Sequence, residues 1–218
     1  MKTINLKREA WLWVLLVLPF IYIAYVWNSL PDIVPIHFGT DGQPNGWSGK
    51  WGVLVIPGIN VFVYLLMLFL PVIDPRKERY ESYGSNFYKI RVLLTLFLFV
   101  FTCEWVYRNE TGTMVMDIKW VSASAFLLFA ILGNYFINIK PNWFIGIRTP
   151  WTLSNDTIWR KTHRLLGNMW FYGGIACLLL SLVINGAYIS IVLVAFVIST
   201  ALFSAGYSFW LYKQLPKA

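Results

Sequence analysis

The residue types best suited to chemistry gather in one stretch, residues 138–170, which reads NIKPNWFIGIRTPWTLSNDTIWRKTHRLLGNMW. It holds five of the 18 basic residues and one of the two histidines. His163 is a group that gains or loses a proton near neutral pH. Arg148 and Arg164 offer planar forks that grip carboxylate or phosphate. Arg148 sits among Ile145, Gly146, Ile147 and Pro150, where an unpaired guanidinium is costly, so it must find an acceptor or a lipid phosphate. Thr162 and Trp159 complete the group. The chemistry stops short of catalysis. There is no nucleophile elbow, phosphate loop, zinc-protease helix or paired carboxylate motif. His37, the other histidine, is too distant to share a metal, and Cys103 and Cys177 lie in apolar runs without a second ligand. The expectation is a protein that is not an enzyme and needs neither cofactor nor metal.

Local signals shape this stretch. Pro141 ends the preceding helix, and Gly146 permits backbone angles closed to other residues. Thr149-Pro150 forces an extended or turn conformation before Trp151. Ser154 is the expected N-cap of the next helix, with Asp156 in its first turn. From there the pattern is helical: Ile158, Thr162, Leu165 and Met169 on one face, Trp159, Leu166 and Trp170 beside it, and Arg160, Lys161 and Arg164 opposite. This reads as an amphipathic interfacial helix running into a membrane helix. Asn134, Asn138 and Asn142 recur every four residues, and Asn134 and Asn138, aligned on one helical face, are expected to meet Arg148 or His163.

The elements that must hold the stretch are apolar. The chain has 218 residues, 58% hydrophobic and only 13% charged, where a soluble domain carries about 25% charged. Apolar runs at 11–27, 53–73, 92–107, 121–137, 169–184 and 187–211 each approach the ~20 residues that cross a bilayer. No cleavage site follows the first, so it is expected to be retained. Pro57, Gly58 and Asn60 are expected to kink the second. Glu104, in the third, is explained by Arg108 four residues on. The resulting fold class is an all-α polytopic membrane protein with six transmembrane helices, an extracytosolic loop cap and a cytosolic amphipathic helix. Its halves are 1–110, with the outer loop 28–52, and 111–218, with the cytosolic motif 138–168.

With the N-terminus inside, only Lys50, Arg108 and Lys119 of the 18 basic residues fall outside. The positive-inside rule therefore places both termini and the central stretch in the cytosol. The net charge of +8 belongs with anionic lipid and not with nucleic acid, since no basic helix stands free of the membrane. In the outer loop, Pro31 and Pro35 block a helix, and Asp41-Gly42 and Asn45-Gly46 are turn dipeptides, so a short hairpin or cap is expected.

The run NWFIGIRTPWTLSNDTIWRKTHRLLG resembles the hallmark of the SdpI family of bacterial toxin-immunity membrane proteins. The matching elements are Asn142, Gly146, Ile147-Arg148-Thr149-Pro150-Trp151, Leu153, Trp159, Thr162-His163 and Gly167. The loop LPDIVPIHFGTDGQPNGW resembles the companion N-terminal domain, with Pro31-Asp32, then Pro35, His37 and Phe38, then a Gly-rich turn with Gly46 and Trp47. The resemblance implies a multi-spanning plasma-membrane protein that confers resistance to a membrane-active peptide toxin or bacteriocin. It also implies a signalling role in which a cytosolic repressor is sequestered at the membrane. The outer loop with His37 would then meet the toxin. Arg148, Trp159, His163 and Arg164 would couple that event to the inside or brace the bundle. The competing reading is a small transporter or lipid-handling protein with a polar path along Pro57, Asn60, Glu104 and Asn134.

Overall fold

The computed structural model describes residues 6–215, without the side chains of residues 6 and 81–83. Lys2 and Lys217, two of the basic residues assigned to the inner side, lie outside the described residues. The described chain is built from helices α1 (Leu6–Val26), α2 (Val55–Ile73), α3 (Arg79–Glu110), α4 (Ile118–Phe136), α5 (Pro150–Ser154), α6 (Asp156–Val183) and α7 (Gly186–Lys213), with a hairpin of β1 (Ile33–Phe38) and β2 (Pro44–Gly49). All but α5 are long and apolar enough to cross a membrane. The fold is all-α and polytopic, because in hydrocarbon every backbone group must be satisfied within its own segment.

The chain divides into two compact units. One takes residues up to Phe69 together with Tyr88–Asp117; the other takes Leu70–Phe87 and everything from Ile118 onward. Residues 70–87 therefore group with the segment from Ile118 onward.

In the first unit, Leu12 and Leu16 of α1 pack on Tyr64 and Leu68 of α2. Pro57 falls in the first turn of α2, where its missing N–H would have had no intrahelical partner in any case. Asn60 donates from Nδ2 to the Thr95 carbonyl at 3.2 Å. Residues 28–52, the loop expected outside, hold the hairpin. Val34 pairs with Ser48 and Pro35 with Trp47, and the register slips on either side of His37, leaving Ile36 unpaired as a bulge.

In the second unit α6 crosses α4 where both are thin. A Cβ built on Gly133 would lie 2.5 Å from the Phe171 nitrogen, and one on Gly167 would lie 2.7 Å from the Gly133 oxygen. Small residues let two backbones approach closely and gain dispersion, which is how helices associate in lipid.

Two boundaries differ from expectation. α3 begins at Arg79, well before the apolar run at 92, because Arg, Lys, Glu and Tyr are adequate helix formers when their polar ends reach water. The amphipathic segment runs into the fifth membrane helix as expected, in one helix, α6, but its N-cap is Asn155 and not Ser154.

Candidate functional site

The motif stretch lies entirely in the second unit. Asn142 is 5% exposed and knits a tight turn. Its Oδ1 accepts from Phe144 N at 2.9 Å and Ile145 N at 2.7 Å, and its Nδ2 donates to Ile145 O at 3.1 Å. The turn leads into Gly146, whose φ of +116° suits glycine alone. A Cβ at Gly146 would also lie 2.2 Å from Nε2 of His163. Backbone freedom and space thus both require glycine there.

His163 is fully buried. Its Nε2 accepts from Ile147 N at 2.9 Å, and its Nδ1 lies 2.9 Å from the Trp159 carbonyl. A nitrogen that accepts an N–H carries no proton, so the proton is on Nδ1 and donates to that carbonyl. The imidazole is a neutral bracket between α6 and the loop. Its ring stacks on Trp159 at 4.0 Å, and Trp159 donates from Nε1 to Ile139 O at 2.9 Å. One histidine and one tryptophan therefore fix both ends of the 139–147 loop on α6.

The next segment is also locked. Thr149 caps α5 with Pro150 at its start, in a reciprocal arrangement with Thr152. Thr152 Oγ1 donates to Ile147 O at 2.8 Å. Trp151 donates from Nε1 to Ser208 of α7, and Thr149 Oγ1 lies 3.2 Å from the same hydroxyl. Ser154 bonds back to Trp151 O at 3.3 Å. The N-cap expected at Ser154 is Asn155, whose Oδ1 accepts from Thr157 N and Ile158 N. Thr162 is buried, and its hydroxyl finds no hydrogen-bond partner among the described residues. Gly167 sits at the α4–α6 crossing.

The two arginines stand apart from this core. Arg148 is exposed, donating to Trp143 O at 2.9 Å, and Arg164 is exposed on α6. Asn134 and Asn138 are also exposed. The expected meeting of the asparagines with Arg148 or His163 does not form. Asn142 spends its side chain within its own turn, because a short amide satisfies nearby backbone more readily than distant groups.

In the first unit the hairpin gathers the outer-loop residues. His37 is exposed, its Nδ1 in hydrogen-bond contact with Asn45 Oδ1. Gly46, opposite His37, is confined by the His37 Cβ, 2.9 Å from where its own Cβ would be. Pro35 accepts from buried Trp105 Nε1 at 3.3 Å, and Asp32 accepts through its carbonyl from Lys50 N at 2.8 Å. Pro31 and Phe38 are half-buried, the latter paired with Pro44. Trp47 is half exposed, alongside exposed Ile33 and Ile36.

Residues 138–208 match the model of the SdpI/YfhL protein family, and residues 14–61 match a domain of unknown function (DUF1648). The region similar to the SdpI/YfhL family thus contains the whole motif from Asn142 to Gly167. Comparison with curated proteins and with solved structures gave no match.

The SdpI/YfhL region leans on residues that the motif alone does not reveal. Asp74, 1% exposed, accepts from Arg76 N at 2.7 Å, Tyr80 OH at 2.9 Å and Trp143 N at 3.0 Å. It thereby ties the α2–α3 turn to the motif loop. Asp156, read only as a first-turn residue, also pairs with Arg79 at 2.6 Å and lies 4.0 Å from Arg76. The Asp74-Pro75 break after an apolar run was the available sign, since an Asp there readily caps the following turn.

A second set escaped the sequence altogether. In the first unit Glu9 and Arg91 form a buried ion pair, 3% and 6% exposed. Tyr64 OH donates to Glu9 at 3.0 Å, Trp13 Nε1 donates to Tyr64 OH at 2.8 Å, and Arg91 donates to Met67 O at 3.3 Å. Glu104, by contrast, pairs with Arg108 at 2.9 Å, as its i,i+4 spacing indicated.

Proposed function

We propose that this chain, similar to the SdpI/YfhL family over residues 138–208, is an integral plasma-membrane immunity protein that confers resistance to a membrane-active peptide toxin, with its termini and motif region cytosolic. The family match over 138–208 carries the reading. The geometry supports action by binding and bracing, without catalysis. Both nitrogens of His163 are spent on backbone groups, which leaves that imidazole no free nitrogen for proton transfer. The toxin-facing surface in this reading is the hairpin, where Ile33, Ile36 and Trp47 are exposed beside His37. A toxin biases such a protein only by binding one of its arrangements better than another.

The test is survival of a toxin-sensitive strain expressing the chain, compared with I33S/W47S and His163→Ala variants matched for membrane level. Protection should fall for the hairpin variant without loss of folded protein. Undiminished protection would remove the hairpin from toxin contact. Repressor sequestration is the signalling half of the proposal, and exposed Arg148 and Arg164 are its docking residues. Their double alanine variant should keep protection while losing co-fractionation of a repressor with membranes.

The buried Glu9–Arg91 pair favours one alternative, a small transporter, because ionisable pairs within spans mark solute or proton paths. Proteoliposome uptake abolished by Glu9→Gln would establish it.

A further inference from the structure

The hairpin leaves apolar side chains uncovered: Ile33, Ile36 and Trp47 all stand half exposed. Ile33 opposes Gly49 and Pro35 opposes Trp47, so Ile33 and Trp47 share one face of the ribbon. The opposite face carries Val34, fully buried, with its Cγ2 3.1 Å from where a Cβ on Gly52 would be. Gly52 belongs to the short turn Lys50–Leu54 that leads into α2. One face of the hairpin therefore packs on the start of α2, and the other is bare. Polar side chains collect at the tip, where Asp41 and Gln43 are exposed.

The bare face is continuous with a surface that meets lipid. Trp51, Val55, Ile59, Phe62, Leu66 and Phe69 are all exposed. They recur every three or four residues, which is one side of a helix, and in a membrane span such an apolar side faces hydrocarbon. Ile33 adjoins the head of this stripe, since its partner Gly49 is two residues from Trp51 and Lys50 N donates to Asp32 O at 2.8 Å. Trp51 packs on Trp27 at 4.7 Å, and the Lys50 amine lies 5.2 Å over the Trp27 ring. Two tryptophans and a lysine where two spans meet water form an interfacial belt. The level of β1 agrees with this. Trp105 of α3 donates to Pro35 O at 3.3 Å, and it follows Glu104, whose 2.9 Å pair with Arg108 belongs in the polar layer. Trp105 precedes the end of α3 at Glu110 by about 7–8 Å along the axis. The hairpin thus lies against the flank of α3 at the depth of the belt, while at its tip Gly42 O accepts from Met116 N at 2.9 Å, beyond the helix end.

We infer that the hairpin is a lipid-binding element, with Ile33, Ile36 and Trp47 seated in the bilayer surface and its tip in water. Any peptide that reaches those residues must then come from within the lipid. The inference is independent of toxin immunity, and its test uses no toxin. Nitroxide labels would be placed singly through Ile33→Cys, Ile36→Cys, Gln43→Cys and Phe62→Cys, on a Cys103→Ala, Cys177→Ala background. The full chain would sit in phosphatidylcholine nanodiscs holding one copy each, which removes a second copy as a shield. Oxygen concentrates in lipid and a nickel chelate stays in water, so their collision rates separate lipid from water, and protein packing is low in both. The oxygen-to-nickel ratio at Ile33→Cys and Ile36→Cys should approach that at Phe62→Cys. It should exceed that at Gln43→Cys about tenfold, the population ratio that burying one aliphatic side chain sustains. A ratio equal to that at Gln43→Cys would overturn the inference in favour of a water-facing hairpin, and low rates with both reagents would assign the face to protein packing. With the native cysteines kept, Trp47→Phe should remove part of the emission quenched by brominated phosphatidylcholine. A loss confined to the iodide-quenched emission would overturn the inference on its own.

Discussion

The two compact units bury polar groups in opposite ways. The first buries a charged pair, Glu9 with Arg91, held by Tyr64 and Trp13. The second buries a neutral one, the imidazole of His163 stacked on Trp159 and bonded to backbone at both nitrogens. Charges taken out of water are repaid only by each other, so losing one partner strands the other. A neutral bracket fails more gently, because what it leaves behind is an unpaired N–H. The charged cluster is a joint between distant helices; the neutral one is a clasp on a local loop.

The sharpest way to break this contrast is Arg91→Met, which should cost about 3–5 kcal/mol, read as a fall in the melting temperature of the detergent-solubilised chain. Adding Glu9→Leu should restore most of the loss, since a hydrophobic replacement of a buried pair is often neutral. Failure of that rescue would show that Tyr64 and Trp13 depend on the carboxylate itself.

Gly146→Ala tests the clasp. Forcing a side chain into that φ costs about 1–3 kcal/mol, and the new Cβ must also displace His163. Protease sensitivity of the 139–150 loop should rise while the first unit keeps its resistance. Gly167→Ala probes the close crossing of α4 and α6 and should cost about 1–3 kcal/mol through overpacking, seen by thermal unfolding. Glu104→Gln, which removes an i,i+4 pair, should change stability by only about 0.2–0.5 kcal/mol. A large effect there would mean that charge matters as much along α3 as at Glu9.

The same contrast explains what could be read from the chain alone. Gly146, Thr149-Pro150 and His163 lie within one short segment, and each speaks through a local rule of turn, cap or glycine geometry. The six spans were legible because hydrocarbon demands length and apolarity. Glu9 and Arg91 were not, since an ion pair between residues 82 apart leaves no mark in spacing. Glu9 looked like one more flank of an apolar run. Arg91 directly precedes the apolar run at 92, within the polar start of α3. Hydropathy marks where a helix enters the membrane, not where it starts. The N-cap moved from Ser154 to Asn155 because the serine hydroxyl turns back to Trp151 and the amide takes the next helix.

The chain has two histidines, one sealed against Gly146 and one exposed on a hairpin. A histidine-selective acylating reagent should therefore modify a single ring in the intact protein and a second only when the clasp opens. The molecule carries its own gauge of integrity, readable by mass without adding a label.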